Sequence, residues 1–210
     1  MKSISDIWLA ARRSARELAR DRSGIAATEF AVIVPVMLVM FFGTVEFSSG
    51  VAVDRKVTIV ARTLSDLTSQ ALNSVNDTYL QNVFTASIAI VTPYPATPIK
   101  AQISQIYVDS SNVAKVVWSK GATIGTAATQ ATLGNSTHNA GDTITIPPAL
   151  QVAKTYLILS EVSYLYTPTI GYVMAKAGVN LSDVAYTRPR QSTCVIYNNL
   201  PVTPPAQCPP

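Results

Sequence analysis

The sequence predicts an α+β protein: a long N-terminal transmembrane helix that continues as a stem and packs on a small antiparallel sheet domain. Three observations predict it. The run from Phe30 to Val45 holds 16 residues without a charge. After it, Val57, Val60, Ala61, Leu64, Leu67, Ala71 and Leu72 recur at helical spacing, and no Pro or Gly falls between Val51 and Val91. Beyond Pro98 the period changes to two, in 99–108 (IKAQISQIYV) and in 156–166 (YLILSEVSYLY).

Composition sets the outer limits. The 210 residues are only 13% charged, against about 25% in ordinary soluble domains. Mean hydropathy is +0.26. Such a chain is neither a disordered tail nor a freely soluble enzyme with a fully wetted surface. Net charge is +4, and most of the excess sits at the start. Residues 1–24 carry six basic and three acidic side chains; the rest carries 10 and 9. A nucleic-acid binder needs a basic face on its folded body, and this body is close to neutral. One histidine and two cysteines do not make a common zinc site.

Taken in order, residues 1–24 form a basic leader. Ile4, Ile7, Trp8 and Ala11 fall at helical spacing with Arg12, Arg16 and Arg20 on a more polar side. Residues 25–53 form the membrane helix: the length from Phe30 to Val53 gives roughly 36 Å of helix, enough for a hydrocarbon core of about 30 Å. Pro35 is expected to kink or locally unwind it around Ala31–Pro35, or to be tolerated as membrane prolines often are. The basic leader places the N-terminus in the cytoplasm and the residues after about 54 outside. Residues 54–92 read as a helical stem, with a second helix over Val75–Ile90 that Pro93–Pro98 ends. Residues 93–197 form the external α+β domain of four or five strands: 99–108, 113–118, 156–166, 179–186 and 194–197. Residues 119–150, rich in Gly, Thr, Ala and Asn, read as a loop with at most short strands. A Pro-rich tail, 198–210, closes the chain.

Individual residues carry further expectations. Gly43, Glu46 and Gly50 fall on one helix face, with Phe47 completing the stripe. Two readings stand there: a face for docking another helix, or loose small residues beside a wet interfacial acid. Cys194 and Cys208 lie in an oxidising space on this topology and are expected to be bridged. His138, in 135–139 (NSTHN), reads as a solvated turn residue. No G-x-S-x-G, H-E-x-x-H, G-x-x-x-x-G-K or C-x-x-C occurs, so no enzyme chemistry and no cofactor are expected.

The junction Arg22-Ser23-Gly24-Ile25-Ala26-Ala27-Thr28-Glu29-Phe30 resembles a type IV prepilin processing site. The apolar stretch follows the cut, unlike a secretory signal. The wider string from Gly24 to Gly50, with Val60-Ala61-Arg62 beyond it, resembles the TadE/TadG family of tight-adherence (Tad, Flp-type) pilus systems. Pro35, Gly43 and Val45-Glu46-Phe47 sit where that family tends to have them. More softly, 161–168 (EVSYLYTP) and 184–189 (VAYTRP) resemble its strands and closing Arg-Pro. The resemblance implies a minor pilin or pseudopilin, cut between Gly24 and Ile25 by a prepilin peptidase. It implies work with the major pilin, other minor pilins and an inner-membrane assembly platform, with the domain in the periplasm. Glu29 would pair with the new amino terminus of Ile25, its own or a neighbour's, with Phe30 beginning the apolar helix. A carboxylate at membrane depth costs about 2.5–3.5 kcal/mol, so Glu29 needs such a partner, unless it sits at the interface at a helix start. The rival reading is a signal-anchored periplasmic binding or scaffold domain outside any filament.

Overall fold

The computed structural model describes residues 8, 12–17, 23–126, 128–168, 178–198 and 208. The chain divides into two compact units, Met1–Glu46 and Phe47–Pro210. One helix, α1 (Ser23–Ser69), contributes residues to both. It is α-helical throughout, so the expected local unwinding near Pro35 does not occur. Proline removes one backbone N–H, and its neighbours keep the ladder going on either side.

In the second unit the residues of α1 follow an amphipathic pattern. Val53, Val57, Val60, Ala61 and Leu64 are fully buried, at spacings of three, four and one that make a single stripe. The stripe lies on the sheet, and hydroxyl groups fasten it there. The Ser160 Oγ donates to the Ala61 carbonyl, and the Ser65 Oγ to the Ile158 carbonyl at 3.3 Å. The Thr187 hydroxyl donates back to the Ser65 carbonyl at 3.1 Å. Small hydroxyl side chains let helix and strand backbones approach closely while keeping buried polar atoms paired.

The short strand β1 (Ser74–Val75) follows, then α2 (Asp77–Ala89). Asn76 caps α2: its side-chain oxygen accepts the Tyr79 N–H at 2.8 Å. Leu80, Val83, Phe84 and Ile88 form its buried face. Lys56 of α1 serves the other end, donating from Nζ to the Ile90 and Thr92 carbonyls at 2.9 and 2.8 Å. A cation at a helix C-terminus satisfies orphan carbonyls and complements the helix dipole.

The main sheet has five strands in the order β4-β3-β2-β5-β6, all antiparallel: β2 (Ile99–Val108), β3 (Ala114–Thr123), β4 (Thr132–Gly134), β5 (Thr155–Tyr166) and β6 (Val179–Thr187). The β2–β3 turn is built on Asp109, whose Oδ1 accepts the Ser111 and Val113 N–H groups at 2.8 and 3.0 Å. Those bonds, Val113 first, hold the Asp109 carboxyl below its ordinary pKa. One sheet face, with Ile99, Ala101, Ile103, Ile158, Val162 and Tyr164, joins α1 and α2 in the main core. The opposite face carries a smaller core, in which Ile106, Val108, Leu157 and Leu159 lie under Ile144 and Ile146. Burial raises the pKa of Tyr156, whose ring centroid stands 4.9 Å from that of Tyr107, to about 12.

The sequence expectations meet the structure at three points. The segment 119–150, expected as a loop with at most short strands, holds the end of β3 and the short β4. β3 runs on to Thr123, and 142–150 covers the second core. The last strand, β7 (Ile196–Tyr197), does not join the main sheet but pairs in parallel with β1. The short β1 occupies the break between the two helices of the stem. The C-terminal strand nonetheless closes the main core. The Val195 N–H donates to Gln105 Oε1 at 2.5 Å, and Trp118 Nε1 donates to the Val195 carbonyl at 2.7 Å.

Candidate functional site

In the first unit α1 has no buried stripe. Phe30 is 69% exposed and Met40 68%, and Val36, Met37, Leu38 and Val39 between them and Phe41 beyond them are exposed as well. Consecutive helical residues are 100° apart, so this run presents apolar side chains on every side. Water is the wrong solvent for such a surface; a bilayer or other apolar helices is the right one. From Gly24 to Glu46 the helix is roughly 34 Å long at about 1.5 Å per residue, which matches a hydrocarbon core. One helix near the N-terminus therefore fits a single-pass membrane anchor.

The residues at its start are all open. A Cβ added to Gly24 would meet nothing within 4 Å. Ile25, Glu29 and Phe30 are exposed, and the Thr28 hydroxyl donates to the Ile25 carbonyl at 2.8 Å. Glycine at 24 is thus required neither by packing nor by backbone conformation.

The face through Gly43, Glu46 and Gly50 is different. Glu46 is 5% exposed, so it is not the wet carboxylate expected from its distance along the helix. Gly50 faces its own domain: a Cβ there would stand 3.7 Å from the Tyr166 ring. Gly43 is half-buried. Phe47, the remaining member of the stripe, is 66% exposed. Pro35 is exposed among the apolar residues. Cys194 and Cys208 are joined by a disulfide with Cα atoms 6.0 Å apart. The bridge sits next to Val195, and so anchors the strand that closes the core.

A second candidate lies on the outer sheet face, where a groove of about 400 Å³ runs beside Lys100, Gln102, Thr123, Glu161 and Ser163. The segment 135–138 crosses over it. Gly121 makes that crossing possible, because a Cβ there would stand 2.5 Å from the Asn135 carbonyl oxygen. Glu161 Oε2 accepts from Gln102 Nε2 at 2.6 Å and contacts His138 Nε2 at 2.7 Å. Gln102 Oε1 in turn accepts from the Ser136 hydroxyl and the Thr137 N–H, each at 3.0 Å. His138 is therefore not a solvated turn residue but the clasp of a polar network that holds the crossing segment. Among the described residues the His138 ring bonds to Glu161 and to no serine hydroxyl. Nor do the described residues gather three or more metal-ligating side chains.

The long helix is where one comparison with known proteins finds a match. Residues 24–64 match the family model described as TadE-like protein. The match begins at Gly24 and ends at Leu64, the last of the buried α1 stripe, and so spans the exposed apolar segment and the segment seated on the sheet. It supports a protein associated with a Tad pilus, with components of that system as partners. No curated protein and no solved structure matches the chain.

Proposed function

We propose that this chain is a minor pilin or pseudopilin of a Tad pilus system, cut after Gly24 and acting by assembly rather than by catalysis. The observation that carries the reading is the position of the TadE-like segment on one unbroken helix with two environments. Its first part exposes apolar side chains on every side; its second part is seated on a folded domain. That design suits a subunit that waits in the inner membrane, domain in the periplasm, and hands its apolar helix to a bundle of similar helices. Gly24 supports the cut, since nothing in the fold asks for glycine there. Ile25 and Glu29 lie one helical turn apart, so cleavage sets an ammonium and a carboxylate on neighbouring turns.

Surface piliation of Glu29→Ala and Glu46→Ala strains, with a blot for the mature form, tests the reading. Glu29→Ala is expected to be processed and membrane-bound but to lose pili, because the Ile25 ammonium enters the apolar assembly unpaired, at a cost of several kcal/mol. Normal piliation of Glu29→Ala would sink the assigned role. Glu46 is buried, so Glu46→Ala is expected to lower the amount of folded protein rather than to block a step after processing.

A further inference from the structure

The two edges of the main sheet are treated differently. β4 is an edge of three residues. β6 is an edge of nine, paired with β5 along its whole length. It holds no Gly, Pro or Lys and a single charge, Asp183. Natural proteins guard long edges with charges, prolines or bulges, because a row of free N–H and C=O groups is a template for another strand. Among the described residues the guard is one side chain. The Val184 N–H donates to the Asp183 carboxylate at 2.7 Å, an oxygen standing where the carbonyl of an added strand would stand.

Beside this edge, still within the second unit, lies a groove of about 570 Å³ between β6 and α1. Leu67 and Ala185 give it an apolar part, and Thr63 and Thr187 line it with hydroxyl side chains. Of its two arginines, Arg190 is ion-paired with Asp66 and donates its N–H to the Ser69 carbonyl at 2.9 Å. Arg62 is exposed and has no partner among the described residues.

We propose that β6 is a docking edge for an extended segment of a partner protein, a strand with alternating small apolar or hydroxyl side chains and one carboxylate that pairs with Arg62. Main-chain bonds to β6 supply the affinity, and the groove with Arg62 supplies register and charge preference. Asp183 acts as a placeholder that the incoming strand displaces. A second copy, whose β6 carries its own carboxylate at Asp183, is the competing occupant, and a dimer protected without peptide is the outcome that reveals it. The inference goes beyond the pilin reading and holds whether or not the chain is cut after Gly24.

The test uses the full chain in lipid nanodiscs and a capped nine-residue peptide of alternating Val and Thr with one central Glu, against the same peptide with Lys. The Glu peptide is expected to bind saturably and to protect amides of β6 from hydrogen exchange. Arg62→Gln is expected to weaken it about fivefold, the upper range for an exposed ion pair, and to remove the preference over the Lys peptide. Asp183→Ala is expected to tighten both peptides. Near-UV circular dichroism of Trp118 checks that each variant is folded. Overturning results are an absence of binding even to Asp183→Ala, protection confined to the 135–138 segment over the outer-face groove with none in β6, or a dimer whose β6 amides are protected without peptide.

Discussion

Leu38 and Leu64 lie on the same helix, and the structure assigns them opposite energetics. Leu64 is 0% exposed in the main core, against 48% for Leu38. Leu64→Ala removes a buried side chain and leaves a cavity, which costs about 2.7–5 kcal/mol when the surroundings relax only in part. In a domain of this size each kcal/mol moves the melting temperature by about 2–4 °C, so a fall of roughly 10 °C is expected. Leu38→Ala removes apolar contact with lipid and leaves the second unit untouched, so its expected shift is below about 1 °C. Both variants are purified in the same detergent, and unfolding is followed by the near-UV signal of Trp118, which is buried and bonded to Val195. Equal shifts for the two, or a larger one for Leu38→Ala, would refute the division of the helix into a lipid-facing and a domain-facing part.

Two further outcomes follow from single contacts. Reduction of the Cys194–Cys208 bridge, or Cys194→Ser, is expected to lower stability by about 3 kcal/mol on the loop-entropy account, read by denaturant unfolding; an unchanged midpoint would mean the 194–197 strand needs no tether. The Asp109 carboxyl is expected to titrate below an ordinary aspartate in a carbon-detected NMR titration. Because its folded pKa is lowered, its contribution to stability is present above the unfolded value and is lost as pH falls through the folded one, and Asp109→Asn is expected to remove that acid-side loss.

Much of this architecture is written in local pattern. The apolar run from Phe30 to Val45 and the spacing Val57, Val60, Ala61, Leu64 are visible without a structure because each depends only on neighbours along one helix. The strands 99–108, 156–166 and 179–186 are legible for the same reason. What stays hidden depends on partners distant in sequence. β1 and β7 are two residues each and meet across most of the domain, so no periodicity marks them. The segment 135–142 packs without regular structure, so His138 reads as wet until the chain path brings it to Glu161. The available signal was Glu161 itself, a lone carboxylate inside YLILSEVSYLY, which must find a partner if that strand is buried. Glu46 reads as wet for a similar reason: distance along a helix gives depth in a membrane, but not whether the side chain is buried.

The intact mass of the protein purified from membranes of its own host tests the central claim most directly. The account predicts a chain that begins at Ile25, and a Gly24→Leu variant that keeps residues 1–24. A wild-type protein that keeps its basic leader, or a Gly24→Leu variant still shortened to Ile25, would contradict it.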